Sequence, residues 1–364
     1  MSVALVTLGL PLAAERPAPD LRIADRIVTR HGKHLDVRQH KKDWLSLDFL
    51  RNLQRDTREF CEHVLQHEHR VAVTACYICG STQRKTFGET YGIGYQECAS
   101  CSHVYAQVRL TPEDLFDYYR KKYFVGTADI DPKLADARAH MVVAPKLRFV
   151  SDFVQTEQRR WLDVGAGNGG VVACAREMGF DAVGLEPGRE ARQFARKVFG
   201  FEMHDHSVQQ ELALRGPGSY DLVSFFMVLE HVTDPASQVA AAAELLAPGG
   251  LLVIEVPTAD SVSAMADIAF PNQGLRQTVG VHIMNYTRGS LRHLVDSSGL
   301  DTEAMWFLGQ DIFNLVIHMA LANPAFLDSA LCRFFLDSND ALQRIVDDKE
   351  LSDEVILVAR KPFA

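Results

Sequence analysis

The chain has 364 residues. A single hydrophobic core rarely extends to this length, so we expect one core with appendages or two domains. Hydrophobic residues make up 47% and charged residues 23%, which excludes a mostly disordered chain, and no apolar run reaches the roughly 18–20 residues of a membrane span. The formal net charge is 38 − 47 = −9, which argues against a protein whose main task is to wrap nucleic acid.

The first 70 residues predict a mostly helical extension after an irregular start. The opening segment is apolar but has no basic residue before Arg16, so we do not expect a secretory signal. From Leu45 to Leu65 apolar residues recur at helical spacing. Residues 21–70 carry 11 Lys and Arg against 8 Asp and Glu, which is 11 − 8 = +3, and six His. A solvated helical face is the simpler interpretation of this basic stretch, and contact with an anionic substrate group is the alternative.

Four of the seven cysteines cluster in residues 71–110 with the spacing Cys-x2-Cys-x18-Cys-x2-Cys. They are Cys76, Cys79, Cys98 and Cys101. Two such pairs can converge on one ion, and four thiolates match tetrahedral Zn²⁺ with no open position for chemistry. We therefore predict a structural zinc module, and this cysteine pattern indicates a reducing, cytoplasmic compartment. His103 is an alternative ligand, although a surface position is the simpler interpretation.

Residues 111–158 predict a helical linker or cap. Thr111 is a suitable N-cap residue, with Pro112 at the first helical position. Several aromatic residues that follow could cover a ligand cleft from the side of the zinc module; they are Tyr118, Tyr119, Tyr123 and Phe124. Core packing is the simpler interpretation for most of them, and Tyr123 is the one that we assign to a substrate site.

Residues 159–364 change to short strands that alternate with helices. This alternation predicts a parallel sheet with helices on both faces, which is an α/β fold. After Pro257 we expect a loop-rich stretch, then a helix near residues 290–298 and a strand near 303–307. A loop and helical insert at about 311–350 precedes a last strand with the sequence EVILVARK.

A glycine-rich loop joins the first strand of this region to its first helix. The sequence WLDVGAGNGG, residues 161–170, lets the backbone turn sharply and approach a ligand without a side-chain clash. Gly165, Gly167 and Gly170 satisfy the dinucleotide-binding pattern G-x-G-x-x-G, and Glu186 follows at close to the expected spacing. An NAD-dependent oxidoreductase is therefore one candidate function.

Other features around the loop favour a different cofactor. Asp163 precedes the loop, and Glu186 ends the second strand, where a carboxylate can accept both ribose hydroxyls. Asp205 follows a third candidate strand, where an acid could accept from an adenine amino group, and Pro248-Gly249-Gly250 precedes a later strand. Together these features resemble the class I S-adenosylmethionine (SAM)-dependent methyltransferases.

The resemblance implies a Rossmann-like, seven-stranded sheet in which EVILVARK forms an antiparallel edge hairpin. It also implies that SAM binds at the carboxyl ends of the parallel strands, as ligands of open α/β sheets generally do. The cofactor-binding residues assigned in this way are Asp163, Gly165, Ala166, Gly167, Asn168, Gly169, Glu186, Pro187, Asp205, His206 and Met227.

The resemblance becomes more specific when the two halves of the chain are joined. The run from Cys76 to Phe124 looks like the zinc-binding leader of a bacterial group that includes sugar C-methyltransferases, and VLEHVTDP looks like ubiquinone-biosynthesis O-methyltransferases. It implies that His231 is a catalytic base and that Glu230 orients it or holds a hydroxyl; a histidine that only closes the strand is the alternative. We assign to the acceptor pocket, with packing as the alternative, Tyr123, Glu255, His282 and Tyr286.

The sequence thus predicts a SAM-dependent methyltransferase that acts on a small biosynthetic intermediate of the sugar or natural-product type, by O- or C-methylation. An NAD-dependent oxidoreductase that uses the same glycine loop stays the alternative. We expect a small-molecule substrate, no nucleic-acid partner and no membrane association, with a homodimer as one possible assembly.

Overall fold

A computed structural model gives the structure of residues 27–32, 46–119, 132–273, 277 and 280–363. The strands in these residues are β1 (Val28–His31), β2 (Val71–Ala72), β3 (Arg84–Thr90), β4 (Ile93–Cys98), β5 (Val104–Ala106), β6 (Val108–Arg109), β7 (Arg160–Val164), β8 (Asp181–Leu185), β9 (Tyr220–Phe226), β10 (Leu246–Pro257), β11 (Met284–Asn285), β12 (Asp301–Leu308) and β13 (Glu354–Arg360).

The helices are α1 (Leu47–Gln66), α2 (Pro112–Tyr118), α3 (Pro132–Arg138), α4 (Ala144–Ser151), α5 (Gly170–Glu177), α6 (Arg189–Val198), α7 (Val208–Arg215), α8 (Pro235–Leu245), α9 (Val262–Ala269), α10 (Arg288–Asp296), α11 (Asp311–Ala322), α12 (Ala330–Asp337) and α13 (Asn339–Asp348). A π-helical turn, Ala139–Val143, joins α3 to α4, and 3-10 turns cover Leu229–His231 and Pro324–Asp328. None of the helices described is long and apolar enough to cross a membrane.

The central sheet has the strand order β1-β12-β13-β10-β9-β7-β8. Strands β8, β7, β9 and β10 pair in parallel, as the alternation of strands and helices predicts. Because helices cover both faces, β9 and β10 are buried along nearly their whole length. The α/β prediction is confirmed. The last strand, β13, is antiparallel as expected, but it lies inside the sheet between β10 and β12 and not at its edge.

The two edges of the sheet differ from the prediction. The third candidate strand, before Asp205, is reduced to a single bridge between Leu185 and His204. At the opposite edge, β1 pairs in parallel with β12, so the N-terminal extension, predicted to be mostly helical, also contributes a strand to the sheet. Trp306 secures β1, because its indole N–H donates to the Gly32 carbonyl at 2.8 Å and the Arg30 guanidinium lies 4.0 Å from its ring centroid.

Helix α2 begins at the capping residue that the sequence predicts. The Thr111 hydroxyl accepts from the Asp114 N–H at 3.1 Å, and Pro112 opens α2. The helical prediction for residues 45–65 is confirmed by α1, which begins after Ser46. The loop-rich stretch predicted after Pro257 instead contains α9, whose N-cap is Ser261.

The cysteine module shares a sheet and a core with the larger domain. Strands β3, β4 and β5 are antiparallel neighbours, and β11 of the larger domain adds to β5 as a fourth strand. Tyr95 and Tyr105 of the module are buried in the same apolar cluster as Leu252 and Val256 of β10. The module is therefore packed directly against the sheet that carries the glycine loop.

The two regions outside the family resemblance pack against each other. Leu50 of α1 forms a small buried cluster with Phe313 and Ile317 of α11. A neighbouring cluster inside the insert contains Val316, Ala320, Phe326 and Cys332. The N-terminal helix and the C-terminal insert thus form one accessory layer.

Candidate functional site at the carboxyl edge of the sheet

The glycine loop connects β7 to α5 in a conformation that side chains would disturb. Gly165, Gly167 and Gly169 have positive φ angles of 72°, 52° and 86°. A Cβ atom on Gly165 would lie 2.6 Å from Cγ2 of Val228, and one on Gly169 would lie 2.9 Å from Cβ of Ala195. At Gly167, no atom of the described residues lies within 4 Å of that position. The loop is therefore packed at its ends and presents open backbone in its middle.

Glu186 lies beside the open part of the loop. Its Oε2 accepts from the Gly167 N–H at 2.8 Å, and its Oε1 accepts from the Gly188 N–H at 2.6 Å. Burial raises the pKa of Glu186, and these two N–H groups oppose the rise by stabilising the ionised form. Arg192 donates to the backbone carbonyls of Glu186 and Pro187 at 2.7 and 2.8 Å. The carboxylate is thus held in one orientation and keeps lone pairs for further donors.

Asp163, Ala166 and Asn168 hold the shape of the loop from within. Asp163 is buried and accepts from the Ser224 hydroxyl at 2.6 Å, and burial raises the pKa of its carboxyl to about 7. The Ala166 N–H donates to the Leu185 carbonyl at 2.9 Å, and the Asn168 side-chain oxygen accepts from the Gly170 N–H at 3.2 Å. In this structure their contacts brace the loop.

The remaining predicted cofactor residues lie around the rim. The Asp205 side chain is 72% exposed and pairs with Arg192 at 3.3 Å. His206 approaches Glu211 with its Nε2 2.5 Å from a carboxylate oxygen. Met227 follows β9 with a φ of 57°, a left-handed conformation that is uncommon for a residue with a side chain and that concentrates at functional sites.

Glu230 and His231 lie together in the 3-10 turn after β9; the Glu230 side chain is buried, and the His231 side chain is 12% exposed. His231 Nδ1 is 2.7 Å from the Tyr119 hydroxyl and 3.1 Å from the Val281 carbonyl. Because a carbonyl only accepts, we infer that Nδ1 carries the proton and that Nε2 has the lone pair. Nε2 lies 3.7 Å from Glu230 Oε1. Burial lowers the pKa of His231 to about 4, so its neutral form dominates near neutral pH.

His282 reaches the same place from the segment before β11. The ring centroids of His231 and His282 are 4.9 Å apart with an interplanar angle of 64°. Glu230, His231 and His282 each contribute a side-chain atom to a group lying within 4.8 Å of one another. Tyr286 is buried behind them and donates to the Leu229 carbonyl at 3.2 Å. Of the predicted acceptor-pocket residues, His282 lies against His231, and Tyr286 contacts the 3-10 turn that carries Glu230 and His231.

Glu255 points away from this cluster. Because side chains alternate between the two faces of a strand, Glu255 lies on the opposite face of β10 from Ile254 and Val256. It forms a buried ion pair with Lys146 of α4. Lys146 also lies 3.7 Å from Glu354, so two carboxylates share one ammonium group. Burial raises the pKa of Glu255, and the Lys146 charge opposes that rise. This partner gives Glu255 a structural role, and a role in the acceptor pocket stays a prediction.

The aromatic stretch after α2 contributes a residue that we did not assign. Tyr119 donates to the Val281 carbonyl at 2.8 Å and contacts His231, so its hydroxyl joins the 3-10 turn Leu229–His231 to the segment that carries His282. Tyr123, our assigned residue, lies outside the described residues. The density of aromatic residues was a usable signal, but spacing alone does not show which of them faces the site.

The four predicted metal-binding cysteines converge. Cys76 Sγ is 3.5 Å from Cys101 Sγ, Cys79 Sγ is 3.5 Å from Cys98 Sγ, and all four sulfur atoms lie within 4.8 Å of one another. With Zn–S bonds of about 2.3 Å, the sulfur atoms of a tetrahedral site lie about 3.8 Å apart, so the donor set fits zinc. The Cys101 thiol lowers the pKa of Cys76 to about 5 by hydrogen bonding.

His103 is not the surface residue that we expected. Its side chain is fully buried, its Nδ1 lies 3.3 Å from the Ser290 hydroxyl, and burial lowers its pKa to about 3. Cys174 and Cys332 are buried, as predicted for small apolar residues, and burial raises the pKa of both thiols.

The cysteine module holds the segment that carries His282. The Tyr95 hydroxyl donates to the His282 carbonyl and accepts from the Gly280 N–H, each at 3.1 Å. The Ala106 N–H donates to the Ile283 carbonyl at 2.9 Å. One wall of the site is therefore held by the cysteine module.

The residues of the site belong to one α/β domain. A glycine loop with an acidic residue beside it, and a cluster of Glu230, His231 and His282, both lie at the carboxyl ends of its parallel strands. Residues 135–304 match a family model described as a methyltransferase domain. This segment contains the loop, Glu186 and the Glu230–His231–His282 cluster, so the site described above lies within the part of the chain that is similar to a methyltransferase domain. The match lends no support to the oxidoreductase alternative.

Curated relatives agree with this assignment over part of their length. Ubiquinone biosynthesis O-methyltransferase from Bordetella avium is 33% identical over 125 residues, which are 33% of this chain and 52% of the relative. The enzyme of the same name from Saccharophagus degradans is 31% identical over 110 residues, 29% of this chain and 46% of the relative. The chain thus spans about half the length of these relatives. A SAM-dependent methyltransferase structure from Archaeoglobus fulgidus has 18% identity and a TM-score of 0.44, and covers 66% of this chain and 100% of that chain.

Proposed function

We propose that this chain transfers a methyl group from SAM to a small biosynthetic intermediate of the sugar or natural-product type, by O- or C-methylation. The observation that carries the proposal is the contact between the glycine loop and the 3-10 turn Leu229–His231, which we call the catalytic turn. A Cβ on Gly165 would touch Val228, and Val228 lies only three residues before His231. A place for the cofactor and a candidate base are therefore adjacent at one edge of the sheet.

The residues around the loop fit the cofactor. The space beside the Gly167 backbone is open, so the cofactor can approach the loop closely. Glu186, held by the Gly167 N–H, has remaining lone pairs that can accept from ribose hydroxyls. We assign Asp205 and His206 to the adenine side of the cofactor site, and we assign Met227, which follows β9, to the same site. When bound, SAM supplies a methyl group that is already activated for in-line displacement, and the protein supplies orientation and a base.

His231 is the proposed base. Its Nδ1 is fixed by the Val281 carbonyl and the Tyr119 hydroxyl, which leaves the Nε2 lone pair to accept a proton from the acceptor group. Glu230 stabilises the imidazolium that forms or holds an acceptor hydroxyl, since its carboxylate lies 3.7 Å from Nε2. His282 and Tyr286 form the adjoining wall of the acceptor pocket, and the four cysteines hold a structural Zn²⁺.

Calorimetric titration with S-adenosylhomocysteine tests the cofactor assignment. Wild-type protein should bind it, and Glu186→Gln should weaken the binding roughly tenfold or more, because hydrogen bonds to a charged acceptor contribute about 1.5–3 kcal/mol. Glu190→Gln, an exposed carboxylate of α6, is the matched control and should bind like wild type. Binding of NAD in place of S-adenosylhomocysteine would overturn the proposal.

The acceptor class is tested by incubating the protein with methyl-labelled SAM and pools of small molecules. Phenolic hydroxyls belong in the first pool, since the matched relatives are named O-methyltransferases. Nucleotide-linked sugars belong in the second pool, because the run from Cys76 to Phe124 and the Glu230–His231 pair resemble those of sugar C-methyltransferases. Label transfer to protein or RNA, and to neither pool, would contradict the small-molecule proposal.

A further inference from the structure

A second group of metal-ligating side chains lies outside the catalytic site and the cysteine module. His67, His69 and Asp114 each offer a ligating atom, and the three atoms lie within 4.8 Å of one another. His67 ends α1, His69 follows in the next turn, and Asp114 belongs to α2. The group therefore joins two helices that are 45 residues apart in the chain.

The atoms of this group are arranged as ligands of one ion. His67 Nδ1 lies 3.8 Å from Asp114 Oδ2, close to the roughly 3.3 Å between two ligands bonded at about 2.0–2.1 Å to a tetrahedral ion. The His69 backbone N–H donates to this Nδ1 at 3.3 Å, so Nδ1 is the unprotonated nitrogen, and an ion bound to it replaces this long hydrogen bond. The Thr111 hydroxyl donates to Asp114 Oδ2 at 2.7 Å and orients the carboxylate, as partners of metal ligands commonly do.

The sequence supplies a fourth candidate ligand. His63 precedes His67 by one helical turn, and their ring centroids are 5.2 Å apart. Two histidines at positions i and i+4 share one face of a helix, which is a recurrent spacing for metal binding. His63 and His69 are exposed, so an ion can enter from solvent.

We propose that His67, His69 and Asp114, with His63 as an additional ligand, bind a divalent cation of the zinc class. Imidazole and carboxylate ligands favour Zn²⁺, Co²⁺ or Ni²⁺ over Mg²⁺ and Ca²⁺, which prefer oxygen ligands alone. This site has no thiolate ligand, so it binds its ion more weakly than the four cysteines do. Water completes its coordination.

The bound ion would fix α2 relative to α1. The two helices already meet where the Phe60 and Tyr118 rings lie 4.6 Å apart, and Asp114 is one turn before Tyr118. The next residue, Tyr119, contacts His231. The second cation therefore stabilises the helix that positions Tyr119, at a distance from the reacting groups.

Cobalt titration tests this site with a spectroscopic readout. Protein whose cysteine site is filled with zinc, as measured by elemental analysis, is titrated with Co²⁺. One equivalent should bind with zinc retained and without thiolate-to-cobalt charge-transfer absorption. His69→Ala and Asp114→Asn should each weaken this binding at least about tenfold, as expected for a disturbed metal site. Glu113→Gln, which removes an adjacent charge but no ligand, should bind like wild type.

Hydrogen exchange measures the effect on α2. Exchange of residues 112–118 should slow when Co²⁺ is added to wild type and to Glu113→Gln, and it should not change in His69→Ala. His69 is exposed, so that variant keeps the test valid if Asp114→Asn fails to fold. Absence of a cobalt equivalent beyond the cysteine site, equal binding by wild type and His69→Ala, or unchanged exchange in α2 would overturn the proposal.

Discussion

The cysteine module, residues 71–110, and the C-terminal insert, residues 311–350, both pack against the central sheet, but different contacts attach them. The module pairs β5 with β11 and holds the His282 carbonyl through Tyr95. Four cysteine sulfur atoms converge within it, all within 4.8 Å of one another.

The insert is attached by buried carboxylates. Asp311 accepts from the Ser263 N–H at 2.9 Å and from the Asp353 N–H at 3.0 Å, and Gln343 of α13 donates to it at 3.0 Å. Asp353 accepts from Asn314 at 2.9 Å. These contacts join the insert to α9 and to the start of β13. We therefore expect substitutions in the two regions to have different effects. Substitutions in the module should displace His231 and His282 and lower activity, whereas substitutions in the insert should mainly lower stability.

The largest effect is expected at the catalytic turn that the module supports. His231→Ala should lower kcat by about 10²–10⁴-fold, because it removes the proposed base, while the affinity for S-adenosylhomocysteine stays within about twofold of wild type. Single-turnover assays with labelled SAM and calorimetry measure the two quantities. His293→Ala, on the exposed surface of α10, is the control and should retain full activity.

The pH profile of kcat sharpens the same assignment. Burial lowers the pKa of His231 to about 4, so the base is neutral above that pH and protonated below it. We expect no inflection from His231 between about pH 6 and 8. An inflection near 6.5, where an exposed histidine titrates, that disappears in His231→Ala would contradict the buried, neutral assignment.

The next largest effect is expected from the metal-binding module. Cys98→Ser should lose zinc, lower the melting temperature and reduce kcat by about 10²-fold, because misplacing a site wall by about 1 Å has effects of that order. Cys332→Ala, a buried cysteine of the insert, should keep its zinc and its kcat. Elemental analysis and assays on both variants test the comparison directly. Zinc retained in Cys98→Ser, or activity lost equally in Cys332→Ala, would contradict it.

Tyr119→Phe should produce a smaller loss. The substitution keeps the ring and removes the hydroxyl that bonds to the Val281 carbonyl and meets His231 Nδ1. We expect kcat to fall about fivefold with little change in KM, since one hydrogen bond near the base contributes about 1 kcal/mol. Tyr118→Phe is the matched control. A larger loss in Tyr118→Phe than in Tyr119→Phe would show that ring packing matters more than the hydroxyl.

The parts of the fold that the sequence predicted are those governed by local patterns. The glycine loop, the alternation from β7 to β10 and the Thr111 cap follow from short-range sequence signals, and the cysteine spacing follows from one metal's geometry. The strand β1 was not predictable, because Val28–His31 is exposed and is held by Trp306, which is far away in the chain. For the site, Tyr119 was missed because its contact with His231 bridges 112 residues.

The smallest effect on activity is expected in the insert. Burial and the neighbouring Asp353 raise the pKa of Asp311 from its usual value of 3.8 to about 8. The native state therefore binds a proton that the unfolded chain releases above about pH 4, so this contribution to stability is present at low pH and is lost as pH rises through about 8.

Asp311→Asn removes that proton site. Its amide also faces the Gln343 and Asp353 donors, so we expect roughly 1–3 kcal/mol of destabilisation near pH 6 and unchanged kcat. Denaturant unfolding of both proteins near pH 6 and near pH 8.5 should show that the wild-type advantage shrinks at the higher pH. An equal stability difference at both pH values, or a loss of kcat comparable to that of Cys98→Ser, would mean that the insert is coupled to the site as the module is.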